Sequence, residues 1–167
     1  MPRNISDVRE SAHLFLDEAD ICANHSPKVL GFAAMTTTLS CVIAFGEALI
    51  GRANIKENMK AFCSNMTNYD WLLNDQGQTK AYDVLTDVRN GLSHVLSLPG
   101  KVWLVRTKED FKATGEHKDQ IGIVPSLFVR SVRETIDNIV QKSPGLVFDL
   151  LKNRNLVIVT GTGSKAG

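Results

Sequence analysis

TKAYDVLTDVRNGLSHVLSL, residues 79–98, places Val84, Leu85, Val88, Leu92, Val95 and Leu96 three and four positions apart and is followed by Pro99-Gly100. That period belongs to an amphipathic helix, because a strand alternates every second residue. At about 100° per residue, Val84, Val88, Leu92 and Val95 fall within one arc, flanked by Leu85 and Leu96. Asn90 then points almost directly away from the core, with Arg89 and His94 on opposite sides of the outward direction, about 75° and about 65° from it. Asn90 and His94 are four apart and can touch on the helix surface. Gly91 sits mid-helix at a cost of about 1 kcal/mol relative to alanine, which a close approach by a ligand or another backbone would explain.

The same period organises most of what surrounds this segment. Val8, Ala12, Phe15, Leu16, Ala19 and Cys22 predict a helix from about Ile5 to Asn24, interrupted by Ser26-Pro27. Leu30–Ile50 reads as a second, buried helix ended by Gly51; its apolar length suits a membrane span, but Thr36, Thr37, Thr38, Ser40 and Glu47 argue for a protein core. Asn54 is suited to cap a third helix through Cys63, with Trp71, Leu72 and Leu73 as anchoring bulk before a turn at Asn74–Gly77. After Gly100, Val102–Val105 and Ile121–Val124 are short and β-branched, predicting two strands around a polar excursion at Lys108–Gln120. Helical spacing resumes at Pro125 through Leu127, Phe128, Val132, Ile136, Ile139 and Val140. A short helix with Val147, Leu150 and Leu151 is expected after Pro144-Gly145, and Asn155–Thr160 reads as a strand or arm. The expected architecture is an all-α antiparallel bundle with a small β insertion after the motif helix, as one domain over residues 1–155 with a strand or flexible tail over 156–167.

Composition bounds the function loosely. A chain of 167 residues with 43% hydrophobic and 22% charged residues can bury one core, and nothing in it suggests a fibrous or disordered protein. The formal charge of +1 gives no overall attraction to nucleic acid. Residues 1–83 carry 7 Lys/Arg against 10 Asp/Glu, and residues 84–167 carry 12 against 8, so the motif lies in the basic half. Cys22, Cys41 and Cys63 are widely spaced within apolar patterns, which disfavours disulfides and zinc, and with no apolar N-terminal leader a cytoplasmic location is expected.

RNGLSH, residues 89–94, resembles the ribonuclease signature of the HEPN group of small helical proteins: an arginine, a polar residue beside it, a short spacer and a histidine. Arg89, Asn90 and His94 match residue by residue. The resemblance implies a metal-independent endoribonuclease of toxin or phage-defence type, without cofactor, in which two protomers face their motifs into one cleft. His94 would act as general base on the ribose 2′-OH or as acid on the leaving oxygen, since an imidazole titrating near about 6.5 can do either. Arg89 would hold the phosphate and stabilise its developing charge, and Asn90 would orient the histidine or contact phosphate. Expected partners are RNA, a second copy of the chain, and an antitoxin such as a minimal nucleotidyltransferase. The alternative is a non-catalytic HEPN module that binds nucleotide or a partner protein.

Other residues carry weaker signals. Arg130 and Arg133 share one helix face and are candidates for added RNA contacts. His13, His25 and His117 show no metal-ligand spacing, and His13 reads as an exposed residue at the edge of the first helix. GTGSKAG at residues 161–167 lacks the glycine before lysine, and the following helix, of a phosphate loop. Ser40 and Cys41 have no partnering base that would make either a nucleophile.

Overall fold

The computed structural model describes residues 2–25, 30–51, 54–73, 81–94, 101–113 and 120–149. Among the described residues, six helices and five short strands follow one another as β1 (Pro2–Asn4), α1 (Ile5–His25), α2 (Leu30–Ile50), α3 (Ile55–Cys63), β2 (Leu72–Leu73), α4 (Ala81–His94), β3 (Val102–Leu104), α5 (Lys108–Ala113), β4 (Ile121–Ile123), α6 (Pro125–Lys142) and β5 (Val147–Asp149). The chain is mainly helical, with two small sheets.

The apolar α2 is the centre, touching α1, α3, α4 and α6. Its Ala34, Met35, Thr38, Leu39, Val42 and Phe45 are buried, and by length and composition alone it could cross a membrane. Its hydroxyl residues are accommodated inside the helix. Thr36, Thr38 and Ser40 each donate to the carbonyl four residues back, at 2.9, 2.7 and 2.9 Å, so their protons are satisfied without a tertiary partner. The helix ends where Gly51 takes a φ of 65°, a left-handed conformation cheap only for glycine, and returns its N–H to Glu47 O. Asn54 then caps α3, its Oδ1 accepting from Lys56 N at 3.0 Å and Glu57 N at 3.4 Å. The α2–α3 crossing is close because position 46 is glycine: a β-carbon there would lie 2.0 Å from the Asn58 carbonyl oxygen.

The two expected strands after residue 100 form and pair with each other in parallel, Val102 opposite Ile121 and Leu104 opposite Ile123. Parallel pairing needs a crossover, and part of that connection is α5, a short helix the polar excursion did not predict. Leu72–Leu73, read as anchoring bulk, adds the third strand, antiparallel to the central β4. Gly122 lets the Phe111 ring lie directly on β4, since a β-carbon would come within 2.7 Å of that ring. Trp71 ties this sheet to the bundle: its carbonyl accepts from Val124 N at 3.0 Å, and its ring centroid is 4.7 Å from that of Phe128 on α6. Pro125 occupies the first turn of α6, where its missing N–H costs nothing.

The short helix expected around Val147 is corrected. Val147–Asp149 is a strand, paired antiparallel with β1 so that Asn4 faces Val147 and Pro2 faces Asp149. After the break at Pro144-Gly145 these few residues include β-favouring Val147 and Phe148, and the extended N-terminus supplies a ladder that periodicity in one segment cannot reveal. The expectations for Ser26-Pro27, Asn74–Gly77, residues 79–80 and 95–100, His117, Leu150, Leu151 and everything from 152 to 167 fall outside the described residues.

Candidate functional site

The first turn of α4 is fixed to α3 by an ion pair, Lys56 Nζ to Asp83 Oδ1 at 2.7 Å, and Val84, Leu85, Val88 and Leu92 are buried. The core arc deduced from spacing is therefore the packed face as far as Leu92. Asn90 is exposed, Arg89 is half-buried at the edge, and Gly91 lies between them and Leu92 within the helix. The backbone of His94 completes the last described turn; its side chain, with that of Ser93, lies outside the described residues.

Arg89 Nη1 donates to Asn90 Oδ1 at 3.2 Å, and among the described residues this is the guanidinium's one side-chain hydrogen bond; no carboxylate pairs with it. It borders a surface cavity of about 150 Å³ between α2 and α4, lined also by Thr36, Leu39, Ser40, Ile43 and Leu92. The floor is apolar. Because the Thr36 and Ser40 hydroxyls give their protons to helix carbonyls, what they offer outward is acceptor oxygen. An unneutralised guanidinium beside such a groove can hold an anion, and phosphate suits its fork.

Arg133 and Arg130 have separate fates. Arg130 is exposed. Arg133 turns to α1, its Nη1 2.7 Å from His13 Nδ1 and its Nη2 2.6 Å from Asp17 Oδ1. His13 Nε2 lies 2.9 Å from Asp137 Oδ1, the oxygen that also accepts from Arg9 Nε at 2.7 Å. A chain of five polar side chains thus joins α1 to α6, and the reading of His13 as simply exposed is corrected: both its ring nitrogens have partners. Since a guanidinium can only donate, Nδ1 must accept, so the proton sits on Nε2 and points at Asp137. An imidazole so occupied is a structural link, not an available base. No hydrogen bond or ion pair among the described residues connects this chain to Arg89.

The sequence did carry a signal for this network. Arg9, His13 and Asp17 recur every four residues, as do Arg133 and Asp137, and two such polar rows on facing helices can interlock. The buried thiols are quiet: burial pushes Cys41 up to about 11 and Cys63 up to about 12, which holds both as neutral thiols. Burial also raises the Glu47 carboxyl above its ordinary range. Among the described residues no three His, Cys, Asp or Glu side chains gather as a metal would require.

Compared with known proteins, the chain matches no family model, no curated protein and no solved structure.

Proposed function

We propose that this chain is a metal-independent endoribonuclease of HEPN type, acting as a homodimer on single-stranded or loop RNA in the cytoplasm, as a toxin or in phage defence. The observation that supports the reading best is Arg89: a half-buried guanidinium that no carboxylate among the described residues pairs with, beside an open groove, five residues from His94 on the same helix. A cation is seldom left partly desolvated and unpaired unless an anion visits it.

In the proposed reaction the ribose 2′-oxygen attacks the adjacent phosphorus while the bond from phosphorus to the 5′-oxygen breaks. One histidine takes the 2′ proton and the partner protomer's copy of the same histidine gives a proton to the departing 5′-oxygen, leaving a 2′,3′-cyclic phosphate and a 5′-hydroxyl. The arginines stabilise the charge on the non-bridging oxygens, and Asn90 aligns Arg89 through the bond it already makes. Because the nucleophile is internal and already beside the phosphorus, no metal is called on to generate it. Arg130, exposed on α6, is proposed as an additional phosphate contact; Arg133 would have to leave Asp17 and His13 to join it.

The test is cleavage of mixed RNA in excess EDTA by wild type and His94→Ala. Expected are cyclic phosphate ends with wild type and their loss in the variant. Intact RNA with wild-type protein over a broad range of sequences rejects the nuclease. The second reading, a binding module without catalysis that engages nucleotide or a partner such as a minimal nucleotidyltransferase, is favoured by the near-neutral charge and would then stand.

A further inference from the structure

The outward face of α1 exposes three large apolar side chains, Leu14 at 68%, Phe15 at 56% and Ile21 at 63%, out of five such residues exposed among those described. Leu14 and Ile21 are seven apart and so lie on nearly the same line of the helix, two turns and about 10 Å from one another. At about 100° per residue Asp7 and Glu10 fall within about 40° of that line, and Glu18 lies about 50° from it on the side of Phe15. None of these three carboxylates is in an ion pair with a described residue. The inner side of the helix is spent, with Ile5, Ala12, Leu16 and Ala19 in the core and Arg9, His13 and Asp17 joined to α6. What remains outside is an apolar ridge set in negative charge that no described residue compensates.

Charge decides what can cover it. A phosphate backbone or an anionic lipid surface would be repelled. A second copy would also meet like charge, since parallel pairing sets Glu10 and Glu18 against themselves, and antiparallel pairing of Leu14 with Ile21 sets Glu18 against Asp17. We infer that this face docks a cationic amphipathic helix of another protein, whose apolar row covers Leu14 and Ile21, with Phe15 at its margin, while Lys or Arg side chains meet Asp7, Glu10 and Glu18. This site is independent of Arg89 and does not rest on the nuclease reading.

The test uses the full chain and a labelled synthetic helix of leucine and lysine, with leucines at three- and four-residue spacing, beside a peptide of the same composition in permuted order. Fluorescence anisotropy should show the patterned peptide binding at least about tenfold more tightly than the permuted one. Leu14→Ser/Ile21→Ser, both outside the core, should abolish that preference with an unchanged circular dichroism spectrum. Glu10→Gln/Glu18→Gln should weaken binding and flatten its dependence on salt. Equal affinity for the two peptides, no binding of either, or indifference to the Leu14/Ile21 exchange overturns the proposal. So does a self-associated wild type, seen by sedimentation, that the Leu14/Ile21 exchange makes monomeric, because the occupant is then a second copy.

Discussion

His13 Nε2 and Asp137 Oδ1 stand 2.9 Å apart across the α1–α6 contact, and Arg9 reaches the same carboxylate oxygen from one turn earlier. Burial alone would raise the Asp137 pKa, but the hydrogen bonds from Arg9 and His13, with the Arg9 charge, outweigh it and hold the carboxyl below its ordinary 3.8. A depressed carboxylate stabilises the fold above its unfolded pKa, and that contribution disappears as pH falls through the lower folded value. Asp137→Asn should therefore lower stability by about 1 kcal/mol at neutral pH, the scale of part-exposed ion pairs, and the gap from wild type should narrow as pH falls below the ordinary 3.8 and close in stronger acid. Urea unfolding at a series of pH values measures this; a gap that persists undiminished in acid contradicts the assignment.

Two glycines of α2 should respond in opposite ways to alanine. At Gly46 the new methyl would lie 2.0 Å from the Asn58 carbonyl oxygen, a backbone atom that cannot turn aside. The helices must separate, at a cost of about 3 kcal/mol, the upper range for overpacked cores. At Gly31 the nearest atom is Leu104 Cδ1 at 3.4 Å, an ordinary contact. Gly31→Ala should be neutral or stabilise by about 0.5 kcal/mol through reduced backbone entropy. Thermal unfolding of both variants checks the contrast, and equal effects would place the α2–α3 crossing elsewhere.

The amide of Asn58 is buried, with neither its nitrogen nor its oxygen hydrogen-bonded to a described residue. An unpaired buried polar group costs about 1–3 kcal/mol. Asn58→Leu, which keeps the branched shape without polar atoms, should hold or raise the unfolding free energy by about 1 kcal/mol. A marked loss would show that the amide has a partner the fold depends on.

Thiol labelling separates the cysteines without mutation. Cys41 and Cys63 are buried and held protonated, whereas Cys22 is half-buried on α1. A maleimide should modify Cys22 alone in the native protein and all three cysteines in denaturant, read by mass. Rapid native labelling of Cys41 would mean that α2 opens far more readily than its burial implies.

Sequence period reveals α1, α2, α3 and α6 nearly to the residue and places Val84, Val88 and Leu92 inside and Asn90 outside; it errs at Phe15, counted with the apolar stripe of α1 but 56% exposed, because it falls at the edge of that stripe. What it missed was non-local. Pro2–Asn4 and Val147–Asp149 become strands only by pairing with one another, and Leu72–Leu73 only by joining β4. At the site, the outward setting of Asn90 was legible from angle alone, whereas Arg89, placed by the same angle on the outward half, is partly buried at the edge of the packed face. The groove beside Arg89 was not, since it depends on Thr36, Ser40 and Ile43 from a helix more than forty residues away.

The nuclease reading makes its sharpest claim about cooperation between two chains. If each cleft draws its catalytic groups from both protomers, an Arg89→Ala homodimer keeps two histidines without an arginine, and a His94→Ala homodimer keeps two arginines without a histidine. Each should lose activity by on the order of 100-fold or more. Arg89→Lys should be nearly as impaired, because an ammonium lacks the fork that grips two phosphate oxygens. Co-expressing wild type and His94→Ala with different tags and purifying through both isolates the mixed dimer, whose cleft holds two arginines but one histidine. A shared cleft needs one histidine as base and the other as acid, so this mixed dimer should be nearly as impaired as the His94→Ala parent, and an RNA carrying a single 2′-deoxy sugar at the cut should resist the wild type. Alanine variants as active as wild type would remove Arg89 and His94 from the chemistry, whereas a mixed dimer that keeps the full activity of its one intact chain would mean that each chain uses its own pair and that no shared cleft exists.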